Sequence, residues 1–161
     1  MSLCTGWREQ FERMLRSHSQ LRSMACGFGN QYLTSDGARD VLYHFFEDSY
    51  HLKDWIKNDP TADGQGVEKF INDTLCLRIT ADLANGVKHL RLTSSRTGDL
   101  STAVTSQSVR YMNRRETGDL RSYAYQTWEV QSNGKQYDAH ELAGEVVTEW
   151  RGWLESKGLL P

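Results

Sequence analysis

The sequence is poor in cysteine, in net charge and in long apolar runs, and each shortage closes a class of function. Cys4, Cys26 and Cys76 are its only cysteines. Their number is odd and no CxxC pair occurs, which argues against a secreted disulfide framework and leaves reduced thiols as the default. Lys and Arg number 19 against 21 Asp and Glu, a formal charge of -2. That balance supplies no bulk basic field for non-specific attraction to nucleic acid or a membrane surface. No apolar run approaches the ~20 residues of a membrane span, and the first twenty residues lack the apolar stretch of a signal peptide. The GxSxG elbow is absent, and the GFG at 27–29 is too short for a dinucleotide loop and follows no strand. These absences predict a cytoplasmic protein of bacterial style with no membrane partner.

What is present is enough for one core. Of 161 residues, 38% are hydrophobic and 11% aromatic, which excludes disorder and predicts a single domain over 1–161.

The first half reads as helix. Trp7, Phe11, Met14, Leu15, Leu21 and Met24 recur at three- and four-residue spacing, predicting an amphipathic helix over roughly 5–26. GFGN at 27–30 would end it. A second helix is expected over 36–57, with Thr34, Ser35 and Asp36 as competent N-caps and Asn58-Asp59-Pro60 as its stop. Val67, Phe70, Ile71, Leu75, Ile79, Leu83, Val87 and Leu90 keep helical period, so a third and longest helix is expected over 66–92. After Leu92 the pattern alternates. Strands are expected at 103–111, 123–130 and 135–137, the last two joined through Asn133-Gly134, a strong hairpin signal. Asp138 and Glu141 have capping-box spacing and open a final helix, which Gly158 would close. The architecture predicted is α+β: a helical bundle of three N-terminal helices and one C-terminal helix, with a small antiparallel sheet at about 102–137.

One polar constellation stands out. At 100° per residue, Asp40, His44, Glu47, Asp48, His51 and Trp55 share one arc of the second helix. Arg78, Asp82, Asn85 and His89 share a stripe of the third. Two antiparallel neighbours joined by a short loop would bring arc and stripe face to face. Such a meeting admits a buried polar network that fixes helix register. It also admits a divalent-metal site of His44, Asp48, His51 and Asp82, because Asp48 and His51 repeat the carboxylate-x-x-His step of metal-binding bundles. A third reading is phosphodiester chemistry, with His51 and His89 as acid and base, joined by His44, and Arg78 or Lys88 neutralising phosphate.

The segment Asp82-Leu83-Ala84-Asn85-Gly86-Val87-Lys88-His89 resembles the end of the central helix in HEPN-type proteins. The signature there is Arg, a polar residue often Asn, three variable positions, then His. Asn85 and His89 match, whereas Ala84 occupies the Arg position and Arg78 lies outside the spacing. The resemblance spans about fifteen residues and leaves the sheet unexplained. It implies a helical bundle, frequent homodimerisation and RNA as a partner. With the Arg missing, it implies a non-cleaving relative or one rewired for another ligand.

Smaller features complete the reading. His18 is expected to be packed or half-exposed, His140 neutral and structural, and Cys76 a buried small hydrophobe. Trp150 and Trp153 are expected in a core or an interface. Arg110, Arg114, Arg115 and Arg121 with Tyr111, Tyr123 and Tyr125 surround the strand-connecting loop, a solvated tip or a nucleic-acid platform. The reading favoured is a non-catalytic binding or interaction domain, a degenerate HEPN-like member. The alternative is a metal- or His-dependent hydrolase or ribonuclease with catalytic His51, His89, Arg78 and Asn85.

Overall fold

The computed structural model describes residues 6–26, 34–113 and 122–161. Helix α1 is Trp7–Ala25, α2 Ser35–Asn58, α3 Val67–Asp73, α4 Leu75–His89 and α5 Ala139–Ser156. Strands β1 (Ala103–Asn113), β2 (Ser122–Ser132) and β3 (Lys135–Asp138) lie between α4 and α5. The α+β reading holds: helices pack around one core, and an antiparallel sheet of order β1-β2-β3 lies beside them.

Local chemistry sets most boundaries. The Thr34 hydroxyl accepts from the Gly37 amide and starts α2. Asp138 caps α5 by accepting from the amides of His140 and Glu141. At the other end, Gly158 takes φ +67° and the Leu159 amide returns to the Leu154 carbonyl, closing the helix in a left-handed turn. Asn133 and Gly134 both have positive φ, 51° and 70°. That is the two-residue turn whose twist suits a hairpin. GFGN at 27–30 and the loop between β1 and β2 lie outside the described residues.

The expected third helix is two helices. Thr74 sits extended at φ -108°, ψ 115°, between α3 and α4. Asn72, Asp73 and Thr74 are consecutive weak helix formers whose side chains compete for backbone hydrogen bonds. The break also rotates the face, so Leu75 is largely exposed although it kept the apolar period. Helix α4 then ends at His89 rather than 92, because Leu90 turns to φ +63°.

Two links fix the layers. The Asp59 carboxylate, just past α2, accepts the Trp7 amide at 2.9 Å and pins the start of α1. Gly6 is required there, since its φ is +106° and a Cβ would lie 2.2 Å from the Asp59 Oδ2. On the sheet side, Gln126, Trp128, Val130 and Ser132 of β2 are buried while Thr127 and Glu129 face solvent. That two-residue alternation turns one face of the sheet onto the helices. Trp150 is fully buried and Trp153 stacks on Phe70 at 18° between ring planes, so both tryptophans serve the core.

Candidate functional site

Helix α4 packs along α2, with α3 lying between them in the chain. The polar arc and stripe do not close on a common point. Asp48 turns toward α1, where its carboxylate accepts from the Ser17 hydroxyl at 2.7 Å and from the Gln10 amide group. Gln10 also donates to the Asp48 carbonyl. Asp40, His44 and His51 are exposed on α2, and His89 is exposed at the end of α4. Asn85 and Arg78 are half-buried, and the Arg78 Nε is buried without a partner among the described residues.

Asp82 does point inward, and it is fully buried. Its partners come from a segment the helical wheel does not contain. Oδ2 accepts the hydroxyls of Ser95 and Thr97, both at 2.6 Å, and the Thr97 amide at 3.0 Å; Oδ1 accepts the Arg96 amide at 2.7 Å. Three donors share Oδ2 and one meets Oδ1, so both oxygens of the buried carboxylate are engaged. The network thus binds the 95–97 segment to α4.

That segment carries the network onward. The Arg96 guanidinium donates to Asn72 at 2.7 Å, to Glu68 at 2.8 Å and to the Tyr50 hydroxyl at 3.3 Å. Glu68 also meets Lys57 at 3.0 Å and Lys53 at 3.7 Å. Burial alone would push the Glu68 carboxyl up. Hydrogen bonds from Arg96 and Lys57, and the Lys53 charge, outweigh it and bring the group down to about 2. Lys53 is itself buried, paired with Asp54 at 2.6 Å and lying over the Tyr50 ring. Farther along, Asp99 accepts the Asn133 amide and Asn133 donates to the Thr97 carbonyl, so this segment, a strap over residues 95–102, is tied to the β2–β3 hairpin as well.

The metal expectation is therefore corrected. Among the described residues no three His, Cys, Asp or Glu side chains form a group able to hold a metal ion. His44, Asp48, His51 and Asp82 are not assembled, because Asp48 serves α1, Asp82 serves the strap and both imidazoles are exposed. Likewise His51, His89, Arg78 and Asn85 are not drawn into one enclosed centre: the two imidazoles are exposed, without a carboxylate partner among the described residues. Arg114, Arg115 and Arg121 lie outside the described residues. Arg110 and Tyr111 are exposed on β1.

Two further surfaces lie away from the helical-wheel arcs. One is an apolar groove of about 580 Å³ where α4, the strap and β1 meet, lined by Tyr43, Leu83, Val87, Leu90, Leu100 and Val104. Leu90 is 90% exposed and Leu100 59%. The other is a cleft between α1 and α5. His18, Arg22 and Arg151 line one chamber of about 510 Å³. His18, Arg22, His140 and Glu141 line the next, of about 330 Å³. His18 is half-buried, tilted against Phe45 with ring centroids 5.5 Å apart. Burial lowers its imidazole pKa, and the charges of Arg22, His140 and Arg151 lower it further. Positions 18, 22 and 26 on α1 and 140, 144, 147 and 151 on α5 each follow helical spacing. Those two stripes were the available signal, but nothing in sequence pairs α1 with α5.

Buried Cys76 behaves as expected of a small hydrophobe: desolvation, then Glu149 and Glu145, push its thiol up to about 12. No helix is long and apolar enough to cross a membrane among the described residues. Comparison with family models, with curated proteins and with solved structures finds no match.

Proposed function

We propose that the protein is a non-catalytic interaction domain that works by strand addition, the outer edge of β1 accepting an extended strand from a second copy of the chain. The observation that supports this most is that β1, eleven residues long, lies at the edge of its sheet with β2 as its one neighbour among the described residues. A long free edge presents a row of unpaired amides and carbonyls and is a template for another strand.

The pattern along β1 suits self-pairing. Over the regular stretch from Ser106 onward, past the irregularity at Thr105, antiparallel copies crossing at Ser108 would set Ser106 opposite Arg110. No arginine meets its own copy, and the two-fold pairing closes after two chains. Exposed Leu90 and Leu100 beside the start of β1, with Tyr111 at 72% exposure farther along, would add apolar area to the seam. Resemblance to HEPN-type proteins at Asn85 and His89, with Ala84 in place of the signature Arg, fits a member that binds without cleaving. The metal-dependent form of the hydrolase alternative is weaker because the acids it would use, Asp48 and Asp82, are engaged by structural donors.

Light scattering at about 100 µM, far above a micromolar dissociation constant, tests the reading. The chain is expected to run as a dimer. Ser108 is exposed, so Ser108→Lys should place two like charges at the two-fold axis and give monomers. Mixing Ser108→Lys with Ser108→Glu should restore pairs. A monomeric parent chain, or a dimer indifferent to Ser108→Lys, contradicts the reading.

A further inference from the structure

The geometry points to an anion-binding cleft between α1 and α5, built to take a phosphate group through Arg22 and Arg151 with His18 and His140 on its walls. This inference is independent of β1 pairing.

Like charge converges in this cleft. Arg22 and His18 stand one turn apart on α1, and His140 and Arg151 are three turns apart on α5. Adjoining chambers share His18, Arg22 and Cys26. Arg22 and Arg151 are exposed along it, so their guanidiniums are free to meet an incoming anion. Neither Arg22 nor Arg151 has an ion pair among the described residues, and Arg151 lies over the Phe11 ring at 5.6 Å. Glu141 lines one chamber and is its single acid among the described residues. Behind the charged groups lie Phe45 of α2 against His18 and Trp128 of β2 against His140, both apolar.

His140 adds an unmet acceptor. Its Nε2 donates to the Gln126 carbonyl at 2.8 Å, which leaves Nδ1 as the acceptor of a neutral ring. That Nδ1 is buried and has no partner among the described residues. Buried polar atoms without partners are uncommon and call for an explanation.

The cleft also has a fitting shape. The chambers, about 510 and 330 Å³, suit a ligand of nucleotide size. Arginine forks match phosphate oxygens, and the Ser19 hydroxyl lies on the same stripe of α1. Gly144 forms part of the α5 wall, and a Cβ there would meet no atom within 4 Å. A larger side chain at 144 can therefore fill the cleft without disturbing the core.

The test is an NMR titration of the His18 and His140 ring resonances in two arms, one with inorganic phosphate and one with a short oligoribonucleotide lacking terminal phosphates. Saturation by phosphate identifies a free phosphate or phosphomonoester ligand. Saturation by the oligonucleotide alone identifies a strand backbone. In either case the His18 pKa should rise on binding. Arg22→Gln combined with Arg151→Gln should weaken the effective ligand about 100-fold, about tenfold for each guanidinium removed. Gly144→Leu should abolish saturation while the fold persists, since a leucine is a good helix former. Absence of saturation by either probe up to about 10 mM, the weak end of specific binding, overturns the inference. So does an unchanged affinity in the double arginine variant.

Discussion

Asp82 with its strap and the α1–α5 cleft are both gatherings of charge, and they are organised in opposite ways. At Asp82 the acid is fully buried and four donors occupy it, while Arg96 extends the network to Glu68, Lys53 and Lys57. Cations and anions alternate, and the partners come from four segments of the chain. In the cleft the cations face a chamber and form no ion pair among the described residues. A closed network holds segments together, and an unmatched one has capacity left for something that is not part of the chain. The contrast separates a structural use of charge from a binding use more sharply than residue type does. Judged by residue type, the histidines and acids of α2 and α4 looked like the chemistry.

The largest expected effect is at Asp82. Asp82→Ala leaves buried donors unmet and should cost about 3 kcal/mol. For a chain of this size that lowers the thermal midpoint by roughly 6–12 °C, measurable by calorimetry or circular dichroism. A change within error would mean the strap does not hold the fold. Thr97→Val removes one hydroxyl donor to the same carboxylate. It should cost about 1 kcal/mol, with faster hydrogen exchange confined to residues near 95–102.

The next effect is a pH dependence. Glu68 titrates at about 2 in the fold against 4.5 unperturbed. Its contribution is present above pH 4.5 and is lost as the pH falls toward 2. Its side chain is 40% exposed, so solvent screening holds the amount to about 1 kcal/mol or less. Glu68→Gln should flatten the stability profile between pH 4.5 and 2, and an unchanged profile would break the link from Arg96 to the helices.

The smallest effect belongs to the cleft. The folded His18 pKa lies below 6.5. As pH falls past 6.5 the unfolded chain takes up this proton first, so stability declines until the folded value is passed. His18→Phe should remove that decline, and phosphate should reverse it in the parent chain. Urea unfolding at several pH values between 7 and 5 measures both.

Much of the fold was legible from periodicity and punctuation. Thr34, Asn133-Gly134, Asp138 and Gly158 act locally, and each works where a local rule places it. The break at Thr74 was missed because Phe70, Ile71, Leu75 and Ile79 keep a continuous apolar period across three weak helix formers. The site was less legible. A wheel showed correctly that Asp82 faces inward, but it carries no information about Ser95, Arg96 and Thr97, which fold back from an aperiodic segment. It also showed the arc of Asp48 without naming α1 as the neighbour that fills it. For the cleft, two ordinary stripes become informative only once α1 and α5 are known to be adjacent.

The most direct single measurement is the thermal midpoint with and without phosphate in the parent chain, in Asp82→Ala and in Arg22→Gln/Arg151→Gln. Phosphate is expected to raise the midpoint of the parent chain. The same increment is expected from a lower base in Asp82→Ala, and none in the double arginine variant. An increment that survives loss of both arginines, or that vanishes with Asp82, would contradict the division between a structural network and an open binding cleft.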